Sequence, residues 1–186
     1  LVKLKLRMSR RTSVYVVLYL ISVAAISVAI HEAAHIIAAW FLGVPFAELK
    51  LGFYGINPSV TLPAWFTGTP RLVVYYAGGL VPGLILLSTY LFYWMRRYRR
   101  QPTILSWSLG LVTIVLAAMQ LAIAYMEGHY HEAYINNAGS LFSSTGIWAY
   151  GFMVSAFFFH SALSPRAKTR KANQPPEDAA PEIHQG

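Results

Sequence analysis

Two histidines and a glutamate inside an apolar run carry the clearest chemical signal in this sequence. The motif His31-Glu32-Ala33-Ala34-His35 lies within the run 14–42. Residues four apart stand one above the other on a helix face, so both imidazoles can reach one zinc ion. In this pattern the glutamate acts as general base on a metal-bound water. Because Glu32 is the sole carboxylate in that run, and charge inside a membrane is costly, we expect it to be functional.

The composition indicates a membrane protein. The 186 residues are 56% hydrophobic and only 12% charged, whereas about 25% of the residues of a soluble domain are charged. The chain has no cysteine, which excludes disulfides and thiolate ligands, so a metal must be held by His, Glu or Asp. The net charge is +8. Its basic runs flank apolar segments, which favours a role in membrane topology over binding to nucleic acid.

Four apolar runs predict an all-α membrane protein with about four transmembrane helices, at about 14–42, 72–95, 103–126 and 141–163. A basic N-terminus, 1–13, precedes this core, and we expect the polar, proline-containing tail 164–186 to be disordered. The segment 43–71 is rich in Pro and Gly and partly alternates apolar with polar residues. It predicts a short β-hairpin or re-entrant loop after the first span.

The positive charges predict the orientation of these spans. All Lys and Arg residues except Lys50 and Arg71 lie in the N-terminus, the 96–100 link or the tail. The positive-inside rule then predicts a multi-pass integral protein, expected in the cell membrane, with both termini cytoplasmic. The segments 43–71 and 127–140 would share the opposite side. The later half of the first helix and the end of the third would therefore lie at one membrane depth.

A catalytic zinc site usually has three protein ligands and one open position for water. His31 and His35 supply two ligands. Candidates for the third form a cluster after the third span, with a loop carboxylate as a weaker alternative: Glu127, His129, His131, Glu132 and Glu48. If the third helix continues, Glu127 and His131 share one face. Gln120 is the amide of that span, and it can assist an oxyanion or make a buried helix–helix hydrogen bond.

Residues 14–130 resemble the site-2 protease family of intramembrane zinc metalloproteases. The resemblance rests on the HExxH motif within a transmembrane helix and on the strand-like segment that follows it. It also rests on Ala77-Gly78-Gly79, which is similar to the family's Ala-Gly-Pro motif, and on Met126-Glu127-Gly128, which is similar to its Asp-Gly motif. The resemblance implies Zn²⁺ as cofactor, Glu127 as third ligand and Glu32 as general base.

The activity that this resemblance implies is hydrolysis of peptide bonds in a membrane-embedded protein substrate, such as a transmembrane segment reached from the lipid bilayer. The chain would be a divergent member, with Glu127 in place of Asp, Gly79 in place of Pro, and a site nearer the outer face. The alternative is a catalytically inactive metal-binding membrane protein, either a pseudoprotease or a regulatory partner, which would bind zinc without turnover. A structural four-helix protein with a polar cluster would bind no metal.

Overall fold

The computed structural model of the protein describes residues 9–54, 57–100, 103–129 and 144–163. Its helices are α1 (Arg10–Phe41), α2 (Gly68–Thr89), α3 (Met95–Arg100), α4 (Ile104–His129) and α5 (Ser144–Leu163). A π-helical turn, Tyr90–Trp94, joins α2 to α3 without a break. Between α1 and α2 lie a 3₁₀ turn, Phe46–Glu48, and the strands β1 (Lys50–Tyr54) and β2 (Asn57–Thr61). The predicted helical architecture with a hairpin after the first helix is thus confirmed.

Three helical segments in the described part of the chain are long and apolar enough to cross a membrane: Arg10–Phe41, Gly68–Arg100 and Ile104–His129. They coincide with the first three predicted spans. In α5 the apolar stretch is shorter, Gly151–Ala162, so the fourth span stays a prediction. The predicted N-terminal segment and tail lie outside the described residues, apart from residues 9–13, most of which belong to α1.

The end of α1 is fixed by a Schellman motif. Gly43 adopts a left-handed conformation with φ of 93°, which costs glycine nothing because it has no Cβ. The Val44 N–H bonds to the Ala39 carbonyl at 3.0 Å, and the Gly43 N–H bonds to the Trp40 carbonyl at 3.0 Å. Val44 and Ala39 are both fully buried, so the turn also starts the apolar cluster that holds the hairpin to the bundle.

The hairpin begins later than the sequence pattern suggests. The alternation from Ala47 predicts a strand there, but Glu48 ends a 3₁₀ turn and the ladder starts at Lys50 opposite Thr61. The last pair is Tyr54 with Asn57. Pro58 therefore lies within β2, where a two-stranded sheet tolerates it because one side of each strand is an edge.

Helix α4 is the centre of the bundle, packed against α1, α2 and α5. Near the end of the bundle that carries the arginines, the Tyr19 hydroxyl of α1 lies 2.8 Å from the Thr113 hydroxyl of α4. Trp94 Nε1 donates a hydrogen bond to the same Tyr19 hydroxyl at 3.1 Å. At the other end, His35 contacts Val74 of α2. Helices α1 and α4 are thus parallel, and α2 is antiparallel to both.

Glycines allow α2 to approach α4 closely. A Cβ placed on Gly79 would overlap the α4 backbone at Gln120 and Ala124, and one on Gly83 would lie 2.7 Å from a methyl carbon of Leu121. Small residues of this kind let helix backbones meet in a membrane, where packing rather than the hydrophobic effect drives association. The close approach sets how near α2 lies to the histidines of α1.

We expect Gly79→Ala to lower the free energy of unfolding by about 1–3 kcal/mol, because an overpacked contact with backbone cannot relax by a side-chain rotation. Unfolding of the purified protein in mixed micelles with increasing dodecyl sulfate measures this. Gly151→Ala is the matched control, because a Cβ there meets nothing within 4 Å. Equal stability of the two variants would contradict the close α2–α4 contact.

Candidate metal centre

The two histidines of α1 and a glutamate of α4 converge at one point. His31 Nε2 lies 3.1 Å from His35 Nε2. Glu127 Oε1 lies 3.3 Å from His31 Nε2, and Glu127 Oε2 lies 3.5 Å from His35 Nε2. Within the described residues these three are the group of His, Asp and Glu side chains that can hold a metal ion, and we call them the metal group. The structure thus brings together the three residues that the sequence and the resemblance favoured.

The hydrogen bonds made by the Nδ1 atoms, which face away from Glu127, determine the tautomer of each neutral histidine ring. His35 Nδ1 lies 2.7 Å from the Val74 carbonyl oxygen. That oxygen only accepts, so His35 Nδ1 carries the proton and donates it. His31 Nδ1 lies 3.2 Å from Gln120 Oε1, which is likewise an acceptor. In both neutral rings Nε2 is consequently left with a bare lone pair directed into the site.

Three hydrogen-bond acceptors therefore face one another: two imidazole nitrogens and a carboxylate. This arrangement is unfavourable in a buried, apolar setting unless a positive charge lies among them. Protonation of an imidazole is one source of that charge, and a metal ion is the other. Tetrahedral zinc with bonds of 2.0–2.1 Å holds neighbouring donor atoms about 3.3 Å apart, and the three observed separations are 3.1, 3.3 and 3.5 Å.

Two further features fit a bound cation. Glu127 Oε2 is buried and has no hydrogen-bond partner, which is unusual for a carboxylate oxygen unless an ion neutralises it. On the opposite side, a Cβ placed on Gly78 would overlap the His35 imidazole and lie 2.8 Å from His31 Nε2. Any other residue at position 78 would fill the space beside the histidines. This gives a physical reason for a glycine at this point in α2.

A chain of buried amide and hydroxyl groups holds His31 in place. Gln120 Nε2 donates to Ser27 Oγ at 3.3 Å, and Ser27 Oγ donates to the Ala24 carbonyl at 2.8 Å. Gln120 is only 2% exposed. Its carbonyl oxygen is thus directed at His31 by a fixed partner. The structure shows the buried interhelical hydrogen bond predicted for Gln120, while its role at an oxyanion stays a prediction.

Glu32 lies at the edge of this group. Its carboxylate is within electrostatic range of both histidines and of Glu127. The side chain is partly exposed, and its Oε2 is buried without a hydrogen-bond partner. Because Glu32 Oε2 has no hydrogen-bond partner and lies beside the metal group, it is available to take a proton from water. The role of general base that the HExxH pattern predicts for Glu32 stays a prediction.

The other candidate ligands lie elsewhere. His129 is exposed at the end of α4, and its ring stacks on Tyr125 with centroids 5.3 Å apart. Glu48 accepts a hydrogen bond from the Trp65 indole. Neither belongs to the metal-ligand group in the described residues. His131 and Glu132 lie outside the described residues, so as ligands they stay predictions.

Sequence reasoning missed two supporting groups. Ser27 is four residues before His31 on the same helix face, and this spacing is a signal that could have revealed it. The Val74 carbonyl left no signal, because a main-chain acceptor is invisible in a side-chain pattern. Comparisons of the chain with family models, curated proteins and solved structures found no match.

We expect Gln120→Leu to weaken zinc binding about 10–100-fold, the usual cost of removing the partner of a ligating histidine. Competition with a zinc-chelating dye measures the affinity. Gln120→Glu keeps an acceptor for the His31 N–H and should retain tight binding. Thr113→Val is the matched control, because it removes a buried polar group of α4 that contacts Tyr19 instead. Unchanged affinity in Gln120→Leu would contradict the supporting role.

Proposed function

We propose that the protein is an intramembrane zinc metalloprotease that hydrolyses peptide bonds of membrane-embedded substrates, similar to site-2 proteases. The observation that carries this proposal is the convergence of His31, His35 and Glu127, with donor atoms 3.1–3.5 Å apart on two apolar helices. Glu32 adjoins them with a free carboxylate oxygen. A three-ligand set with an adjacent carboxylate is the arrangement of a catalytic zinc site rather than a structural one, which is closed by four ligands.

In this proposal each residue has a distinct task. His31, His35 and Glu127 would hold the ion, which would supply a Lewis acid that polarises a carbonyl and makes water a stronger nucleophile near neutral pH. Glu32 accepts the proton that the attacking water loses, and it is placed to return this proton to the departing amine. Val74 and Gln120 keep the imidazole Nδ1 atoms protonated, so that Nε2 of each ring stays available to the ion.

The hairpin gives a route for presenting the substrate. A peptide bond within a helix is inaccessible to water, so a transmembrane substrate must unwind before cleavage. Strands β1 and β2 form a two-stranded sheet, in which each strand has an outer edge that can accept an extended segment. Leu51 and Phe53 of β1 are exposed. The hairpin adjoins the end of α1 that carries the metal group, through the cluster of Ala39, Val44, Leu62, Phe66 and Val74.

The charges support an orientation for this protein in the cell membrane. Arg10 and Arg11 begin α1, and Arg96–Arg100 end the second span, so both basic groups lie at one end of the bundle. By the positive-inside rule this end is cytoplasmic. We propose that both termini are cytoplasmic and that the metal group lies in the outer half of the bilayer.

We expect Glu32→Gln to keep zinc but lose cleavage by 10²–10⁴-fold, because it removes the general base and leaves all three ligands intact. Membranes from cells expressing either form can be compared by labelling of new peptide N-termini and mass spectrometry. New termini inside apolar segments should occur with the unaltered protein and be nearly absent with Glu32→Gln. Because all membrane proteins of the cell are sampled together, the measurement itself identifies the substrate.

The zinc content of both forms serves as the control for folding. If the same new termini arise with Glu32→Gln, Glu32 is not the base and the proposed mechanism is wrong. If both forms contain zinc and neither produces new termini, the protein is instead a non-catalytic metal-binding membrane protein.

A further inference from the structure

A cleft at the end of the bundle opposite the metal group combines arginine with aromatic side chains. Its volume is about 360 Å³, and it is lined by Phe92, Tyr93, Arg96, Arg97 and Arg100. The Arg96 guanidinium lies over the Phe92 ring, 5.9 Å from its centroid. This cation–π contact restrains a long side chain that would otherwise be mobile. The cleft lies where the second apolar span ends, and the predicted topology puts this end at the depth of lipid headgroups.

The π-helical turn Tyr90–Trp94 builds this cleft. Tyr90 and Trp94 are buried, and the Trp94 indole donates to Tyr19 of α1. Phe92 and Tyr93, between them, are 65% and 52% exposed. Because the two ends of the turn are anchored in the bundle, its middle is directed outward, beside the arginines of α3. Single π-helical turns within α-helices are frequently found at functional sites.

The positive charge of the cleft has no acidic partner in the described residues. The carboxylates of that part of the chain are Glu32, Glu48 and Glu127. Glu127 belongs to the metal group, Glu32 lies beside that group, and Glu48 lies in the turn between α1 and β1. Arg100 precedes α4 and Glu127 ends it, so roughly 35 Å of helix separates them at 1.5 Å per residue. No carboxylate of the described residues therefore lies near the three exposed arginines of the cleft.

Exposed apolar side chains also lie in the helical segment that leads to the cleft. Leu84 and Ile85 of α2 and Leu91 of the π-helical turn are all exposed, and they belong to a span apolar enough to cross a membrane. A ligand of the cleft would thus meet arginines at one end and an apolar helix surface at the other. Arginine binds phosphate oxygens in a bidentate manner, and acyl chains match the apolar surface.

We propose that this cleft binds the phosphate headgroup of an anionic phospholipid, with the acyl chains lying along α2. Membrane topology by itself requires only positive charge, which lysine provides equally well. The Arg96 guanidinium held over Phe92, the outward aromatic pair and the cleft between them and the other arginines go beyond that requirement. The lipid site is independent of hydrolysis, because its residues are at the far end of the bundle from Glu32.

Native mass spectrometry of the purified protein in a non-ionic detergent tests this. Dioctanoyl phosphatidylglycerol and dioctanoyl phosphatidylcholine are titrated separately, and glycerol phosphate is titrated in a third arm. The cleft variant is Arg96→Gln with Arg97→Gln and Arg100→Gln. The matched control removes three charges from the same end outside the cleft, as Arg10→Gln with Arg11→Gln and Arg99→Gln. Circular dichroism confirms that each variant is helical.

We expect the phosphatidylglycerol to bind and the cleft variant to bind it about 100-fold more weakly, while the control variant loses far less. Replacing the same three arginines by lysine should give intermediate affinity, because charge is kept and bidentate contacts are lost. Equal loss in the cleft and control variants would show non-specific charge attraction and overturn the proposal. Equal binding of the zwitterionic phosphatidylcholine would show that the headgroup charge is not recognised and would overturn it as well. Glycerol phosphate binding as tightly as the lipid would overturn the assignment to a lipid.

Discussion

The arrangement of this bundle depends on how three acceptor atoms are held together in an apolar environment. His31 Nε2, His35 Nε2 and a Glu127 oxygen meet within 3.5 Å, and the opposite ring nitrogens already donate to Gln120 and Val74. The imidazoles therefore cannot satisfy one another, and removing them from water makes their mutual repulsion costly. A cation resolves this conflict. The site is thus stable only in combination with a metal or a proton, and its donor spacing fits tetrahedral zinc.

The meeting of His31, His35 and Glu127 constrains the helices that carry these residues and the helix that passes beside them. Helix α2 must pass close to α1 and α4, and Gly78 and Gly79 leave the space, one beside the histidines and the other against the α4 backbone. Helix α4 must extend beyond its apolar stretch so that Glu127 can reach the site from its last turn. Gly78 and Gly79 let the backbone of α2 approach the histidines and α4 closely. The same two glycines therefore set both the geometry of the site and the packing of the bundle.

Much of this was accessible from the sequence, for identifiable reasons. The apolar runs, the HExxH spacing and the charge bias are local patterns, and they predicted the helices, the two histidines of the metal group and the meeting of two distant segments. The third member of the metal group was open among several residues, because only the continuation of α4 past Met126 decides which side chain turns inward. The support of His35 by the Val74 carbonyl and the outward π-helical turn at Phe92 depend on main-chain geometry, which residue identities do not encode.

The most direct test of the account is zinc X-ray absorption spectroscopy on the purified protein, combined with its metal content. The account predicts one zinc per chain, two imidazole ligands and oxygen ligands at about 2.0 Å. Glu127→Ala should lose most of the zinc, whereas Glu48→Ala, which removes a carboxylate bonded to Trp65, should keep it. Absence of zinc, a third imidazole in the spectrum, or equal zinc in the two variants would contradict the His31–His35–Glu127 site.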